Sequence, residues 1–213
     1  VLAPDFELVS NNFVMHARCN RRTHEEISDI SINGYSGRTT SVTVGKNPGR
    51  QVIIYDKRNE VISKRSVEWH EIWNQNRKKQ ELTALDFSDP SVSRIWRVEL
   101  RAYKRHLKDT WGVTTWSDLD NKLGDIFAQL ASDIRYAVPS NDTNRSRWPN
   151  APIWEIACAE IKEDLFEMCS GADPVKIKKV IRDQQRCILQ TQKLGLDVSL
   201  AALDDVSPAQ FND

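Results

Sequence analysis

Four residues on two short stretches could act together on a phosphodiester: Tyr55, Lys57, Arg97 and Glu99. A phenol can attack phosphorus if its proton is taken up and the developing charge is held. Its unperturbed pKa of about 10 makes it a poor nucleophile at neutral pH without help from cations or a metal. Lys57 and Arg97 are the candidate cations. Glu99 is the candidate ligand for Mg2+ or Mn2+, which prefer oxygen donors. Arg50, Arg94 and Arg101 lie on the same stretches and are the candidate contacts to a DNA backbone.

The elements that must carry these residues are two strands, 49–57 and 94–101. Side chains alternate between the faces of a strand. Val52 and Ile54 therefore share one face of the first strand, and Ile53 and Tyr55 the other. In the second, Trp96, Val98 and Leu100 make an apolar face opposite Arg97 and Glu99. If both apolar faces meet one core, the open face collects Tyr55, Arg97 and Glu99, with Lys57 at the strand end. Strand tyrosines are commonly structural, and an Arg–Glu pair on a sheet is often just a salt bridge. Spacing by itself leaves both readings open.

Composition narrows the class. The chain has 213 residues, 39% hydrophobic and 28% charged, as an ordinary globular domain does. No run reaches the ~18 apolar residues of a membrane span, so no membrane partner is expected. Net charge is zero, yet residues 1–108 carry 19 Lys and Arg against 13 Asp and Glu, while 109–213 carry 11 against 17. The positive half is the one with the two strands, where a polyanion would be handled. Cys19, Cys158, Cys169 and Cys187 show no C-x-x-C or His-interleaved spacing. Buried, reduced thiols in a cytoplasm are the expectation. The phosphate-loop, dinucleotide and nucleophile-elbow motifs are missing, and the four histidines are scattered without H-x-H or H-E-x-x-H pairing.

Taken in order, Phe13–Ala17 suggests a short helix running into Cys19, followed by a basic cluster, Arg18, Arg21 and Arg22. Ile27, Ile30 and Ile32 closed by Asn33-Gly34 read as a strand and turn, with Ile32 facing the core beside Val42 and Val44 of a strand over 39–44. Asn47-Pro48-Gly49 turns that strand into the one bearing Tyr55. Residues 61–73 suggest an irregular helical excursion, and Asp89-Pro90 a break before the second strand. Beyond Tyr103 helical spacing dominates: Leu107 and Trp111 closed by Gly112, then Leu119 to Ile134 capped by Thr115 or Ser117. A polar loop, 138–150, carries Arg145, Arg147 and Trp148; helices over 152–168 and 174–194 and a short segment at 198–203 follow. The fold expected is α+β: an antiparallel sheet with an open catalytic face, backed by helices and followed by a helical C-terminal region.

The pair of strand motifs resembles the Rep_trans-type replication initiation factors, which include initiators of rolling-circle plasmids, replication proteins of filamentous phages and relaxases of conjugative elements. The resemblance rests on Val44-Gly45-Lys46, on Ile54-Tyr55-Asp56-Lys57 and on Trp96-Arg97-Val98-Glu99, and covers about residues 26–135. It implies a site-specific DNA nickase. Tyr55 would attack one phosphodiester and keep the 5′ end, leaving a 3′-OH to prime synthesis or begin strand transfer. Glu99 would help to hold a divalent ion, and Lys57 and Arg97 the scissile phosphate. Asp56 would be a further ligand only if the strand ends before it. The family's earlier R-x-D-x-x-x-D strand has no match, so residues 1–137 read as a nicking domain lacking its first strand, with Val1-Leu2 as the stub. Residues 138–213 read as a helical region for packing, origin recognition or homodimerisation. Two alternatives stand beside this: a DNA-binding initiator that does not cut, and a metal-dependent nuclease that uses water.

Overall fold

The computed structural model describes residues 1–15 and 29–204. In chain order the elements are β1 (Phe13–Met15), β2 (Ile30–Tyr35), β3 (Arg38–Gly45), β4 (Arg50–Asp56), α1 (Lys57–Ser63) and α2 (Glu68–Lys79). There follow α3 (Pro90–Ser93), β5 (Trp96–Ala102), α4 (Lys104–Trp111), α5 (Trp116–Asp133), β6 (Ile134–Tyr136), α6 (Pro152–Asp164) and α7 (Pro174–Leu203). The architecture is α+β. An antiparallel four-stranded sheet runs β2-β3-β4-β5, and β1 pairs with β6 in a second, two-stranded sheet.

Alternation along β3 and β4 decides which face is covered. Val42, Val44, Val52 and Ile54 are fully buried on one side. Trp96 of β5 joins them, and Leu130, Ala131, Ile134, Ile153 and Trp154 from α5, β6 and α6 close the layer above. Burial of each such aliphatic side chain contributes about 1.5–3 kcal/mol. The core thus runs across residues 137 and 138, because α6 supplies Trp154 to the same cluster as β4.

The helix ends follow local chemistry. Thr115 accepts from the Asp118 backbone N–H, and the Asp118 carboxylate accepts from that of Thr115, a reciprocal cap that starts α5. Gly112 ends α4 in the left-handed region at φ 62°. Pro152 and Pro174 open α6 and α7, where a missing N–H costs nothing.

Several expectations from sequence are revised. Phe13–Met15 is strand rather than helix, paired to 134–136 far along the chain. The turn after β2 falls at Ser36-Gly37, with φ of 51° and 76°, while Gly34 sits where the register shifts and a Cβ would stand 2.8 Å from the Arg38 carbonyl oxygen. Ile32 pairs with Val42 but is 52% exposed, because β2 is the sheet's outer strand. Asp89-Pro90 starts α3 rather than only breaking the chain. The segments 174–194 and 198–203 are one helix. Cys158 is half-buried, but Cys169 and Cys187 are exposed free thiols. The basic cluster Arg18, Arg21 and Arg22 lies outside the described residues, as do Cys19 and Ile27.

Candidate active site

β4 and β5 lie side by side with Tyr55 opposite Arg97 and Ile53 opposite Glu99. Tyr55 and Glu99 are therefore diagonal neighbours on one face, within reach of long side chains. The Tyr55 hydroxyl donates to Glu99 Oε1 at 2.8 Å. Arg97 Nη1 donates to the same hydroxyl at 3.4 Å and stands 3.7 Å from Glu99 Oε1. Two residues along β5, on the same face, Arg101 donates Nε and Nη2 to Glu99 Oε2 at 3.2 and 2.6 Å. The site is thus a phenol on a carboxylate, bracketed by two guanidinium groups.

These contacts set the protonation states. Burial, and then the hydrogen bond to Glu99 and its charge, push the Tyr55 phenol up to about 12, with Arg97 pulling weakly the other way. Burial alone would raise the Glu99 carboxyl. The hydrogen bonds from Tyr55 and Arg101 and the charges of Arg101 and Arg97 overcome it and hold Glu99 below its ordinary value. At neutral pH the pair is a protonated phenol donating to a carboxylate anion.

The end of β4 is fixed by Asp56. Its carboxylate is buried, accepts from the Asn59 backbone N–H at 2.9 Å, and so caps α1. Arg38 Nη1 lies 3.7 Å from it. Asp56 therefore faces the core side, away from Glu99. Lys57, first residue of α1, is buried and donates to Glu60 Oε2 at 2.6 Å. Its Nζ lies 6.0 Å from the Tyr55 ring centroid and 5.1 Å from that of Trp69. Arg97 Cζ lies 5.3 Å from the Trp69 ring.

The fold thus brings Tyr55, Lys57, Arg97, Glu99 and Arg101 together. Arg50 and Arg94, expected at a DNA backbone, are not with them. Arg50 shares the parity of Val52 and Ile54, points to the helix side and pairs with Asp133 at 2.8 Å. Arg94 shares the parity of Trp96 and donates to the Pro4 carbonyl at 2.7 Å. Trp148 pins its own loop: its Nε1 donates to the Asp142 carbonyl at 2.8 Å, and Arg145 lies over its ring at 4.8 Å. The residue that sequence reading missed is Trp69. It looked like helix packing, and only the path of the chain between adjacent strands places it against Lys57 and Arg97.

Among the described residues no three of His, Cys, Asp and Glu come together to hold a metal. Glu99 is the carboxylate that touches the phenol, and each of its oxygens is already engaged, one by Tyr55 and the other by Arg101. Oε1 accepts one hydrogen bond, so it keeps acceptor capacity for a further donor or an ion.

No protein-family model, curated protein or solved structure matches the chain. Among the described residues no helix is long and apolar enough to cross a membrane.

Proposed function

We propose that this chain is a site-specific single-strand DNA nicking and joining enzyme of the rolling-circle initiator or relaxase kind, working through Tyr55. The observation that carries the reading is the hydrogen bond from the Tyr55 hydroxyl to Glu99 with Arg97 beside it. A phenol whose proton already points at a carboxylate, next to a cation, is arranged for attack on phosphorus. In the step, a Tyr55 Oη–P bond forms and the P–O3′ bond breaks. The phenolic proton passes to Glu99, and the 3′ oxygen takes a proton from solvent. Arg97, with its side chain 37% exposed, meets the phosphate charge. Lys57, tied to Glu60, adds a second cation 6.0 Å from the Tyr55 ring centroid. The reverse of the same step rejoins the strand.

The proton holds the step back. With the phenol near 12 and the carboxyl below its ordinary value, transfer becomes favourable only as the new O–P bond draws charge off the oxygen. That same mismatch favours, as a second reading, a DNA-binding initiator that does not cut. Mg2+ or Mn2+ dependence belongs to the proposal through Glu99, whose Oε1 accepts from the phenol. The cytoplasm, a homodimer and the division between a nicking domain at 1–137 and a helical region at 138–213 likewise belong to the proposal.

The test is incubation of the chain with a 3′-labelled single-stranded oligonucleotide library in Mn2+, Mg2+ or EDTA, followed by a denaturing protein gel. Labelled protein is expected, lost in Tyr55→Phe while oligonucleotide binding persists. Cleavage without attached label would point to a water-using nuclease. Binding that weakens steeply with salt, with no cleavage in any condition, would support the non-cutting reading.

A further inference from the structure

We infer that Trp69 is a positioning residue that holds Arg97 at the Tyr55 hydroxyl and Lys57 beside the Tyr55 ring; this rests on the reading of Tyr55 as nucleophile. The two cations come from different elements, Lys57 from the first turn of α1 and Arg97 from the middle of β5. What they share is the Trp69 ring, at 5.1 and 5.3 Å from its centroid. An aromatic face attracts a cation without neutralising it. Both cations already meet carboxylates, Lys57 at Glu60 and Arg97 at Glu99, and the ring adds orientation without a further negative charge.

The indole is itself held. Trp73, one turn along α2, lies 5.8 Å from Trp69, and Phe87 lies 5.5 Å from Trp73 and stacks on His70 at 4.2 Å. The Phe87 carbonyl accepts from Arg58 Nη2 at 2.7 Å, and Arg58 Nε donates to Ser93 Oγ at 3.0 Å. Arg58 follows Lys57 directly. The connection between the two motif strands is therefore tied back to the strand end that carries the site, and it delivers the ring to the cations.

Two variants separate the face from the bulk. Both Trp69→Leu and Trp69→Phe shorten the side chain and keep it apolar; the first loses the ring and the second keeps a smaller one. Single-turnover formation of the DNA–protein adduct at saturating oligonucleotide should fall by roughly tenfold in Trp69→Leu and recover most of the loss in Trp69→Phe. Oligonucleotide affinity, spread over many phosphate contacts, should change by less than about threefold. Equal loss in both variants, or no loss in Trp69→Leu, would overturn the inference. An arm that needs no nicking is the proton NMR of the Lys57 and Arg97 side chains. Ring-current shifts should be present in the unaltered chain and in Tyr55→Phe; in Trp69→Leu that of Arg97 should be lost and that of Lys57 reduced, since Lys57 Nζ also lies 6.0 Å from the Tyr55 ring. Their absence in the unaltered chain overturns the clamp whatever the nicking result. A chain with these shifts that forms no adduct overturns the nucleophile and leaves the clamp standing.

Discussion

Replacing Glu99 by Gln keeps a carbonyl acceptor at the Tyr55 hydroxyl and removes the negative charge. Phenolate abundance and adduct rate should then move in opposite directions. Burial, the largest cause of the raised phenol, is unchanged, so Tyr55 should not return to its ordinary value. Loss of the anion, with Arg97 still 3.4 Å away, should lower it from about 12 by roughly one unit. At a given pH the phenolate would become about tenfold more abundant. If phenolate abundance governed attack, nicking would speed up. If Glu99 receives the proton during attack, its loss removes a general base that typically contributes about 10²–10⁴-fold. The net expectation is an adduct rate lower by roughly 10–10³-fold despite the more acidic phenol. The assay pairs single-turnover adduct formation with an ultraviolet titration, taken as the difference from Tyr55→Phe to isolate one phenol among four. An adduct rate equal to or above that of the unaltered chain would refute the role of Glu99. A phenol that titrates higher would refute the electrostatic account itself.

Asp56→Ala removes the α1 cap and leaves Arg38 without its carboxylate, so thermal denaturation should register a loss of about 2 kcal/mol, with Asp56→Asn recovering part of it. Glu60 is held down to about 2, because the hydrogen bonds from Lys57 and Lys64 outweigh its burial. Its folded value is below its unfolded value of 4.5, so its contribution is present above pH 4.5 and fades as pH falls towards 2. Glu60→Gln should flatten the fall in melting temperature over that window, and an unchanged slope would count against the pairing. Trp154→Ala should cost about 3–5 kcal/mol in urea unfolding because α6 belongs to the sheet's own core. A loss under about 1 kcal/mol would instead fit an independent C-terminal lobe.

Much of the site was legible because alternation is a local property. Val52 and Ile54 turn inward, so Tyr55 turns to the other face, and the same parity in β5 puts Arg97 and Glu99 on that face with it. That parity also turns Arg50 and Arg94 to the helix side, so their expected place at a DNA backbone conflicted with the sequence's own pattern. Caps were legible for the same reason: Thr115 and Gly112 act on the next turn of chain. What could not be read depends on distant partners. Three residues from Phe13 form a strand only because Tyr136 is there to receive them. Ile32 looked like core, yet an outer strand has no neighbour to cover it. Trp69 meets Lys57 and Arg97 only because β4 and β5 are adjacent, which forces the intervening excursion to fold back.

The length of α7 has a hydrodynamic consequence. Its 30 residues span about 45 Å, and none of them is buried. Its first turns rest near Gly112, where Ile177 and Ile181 approach, while Leu189, Leu196, Leu200 and Leu203 are exposed further along. A compact chain of 213 residues would have a radius of gyration of about 17 Å. A rod that long drags more solvent than its mass warrants, so a single copy would elute from a sizing column ahead of its true weight and could pass for a pair. Light scattering, which reads mass without shape, is the measurement on which any stoichiometry for this protein should stand.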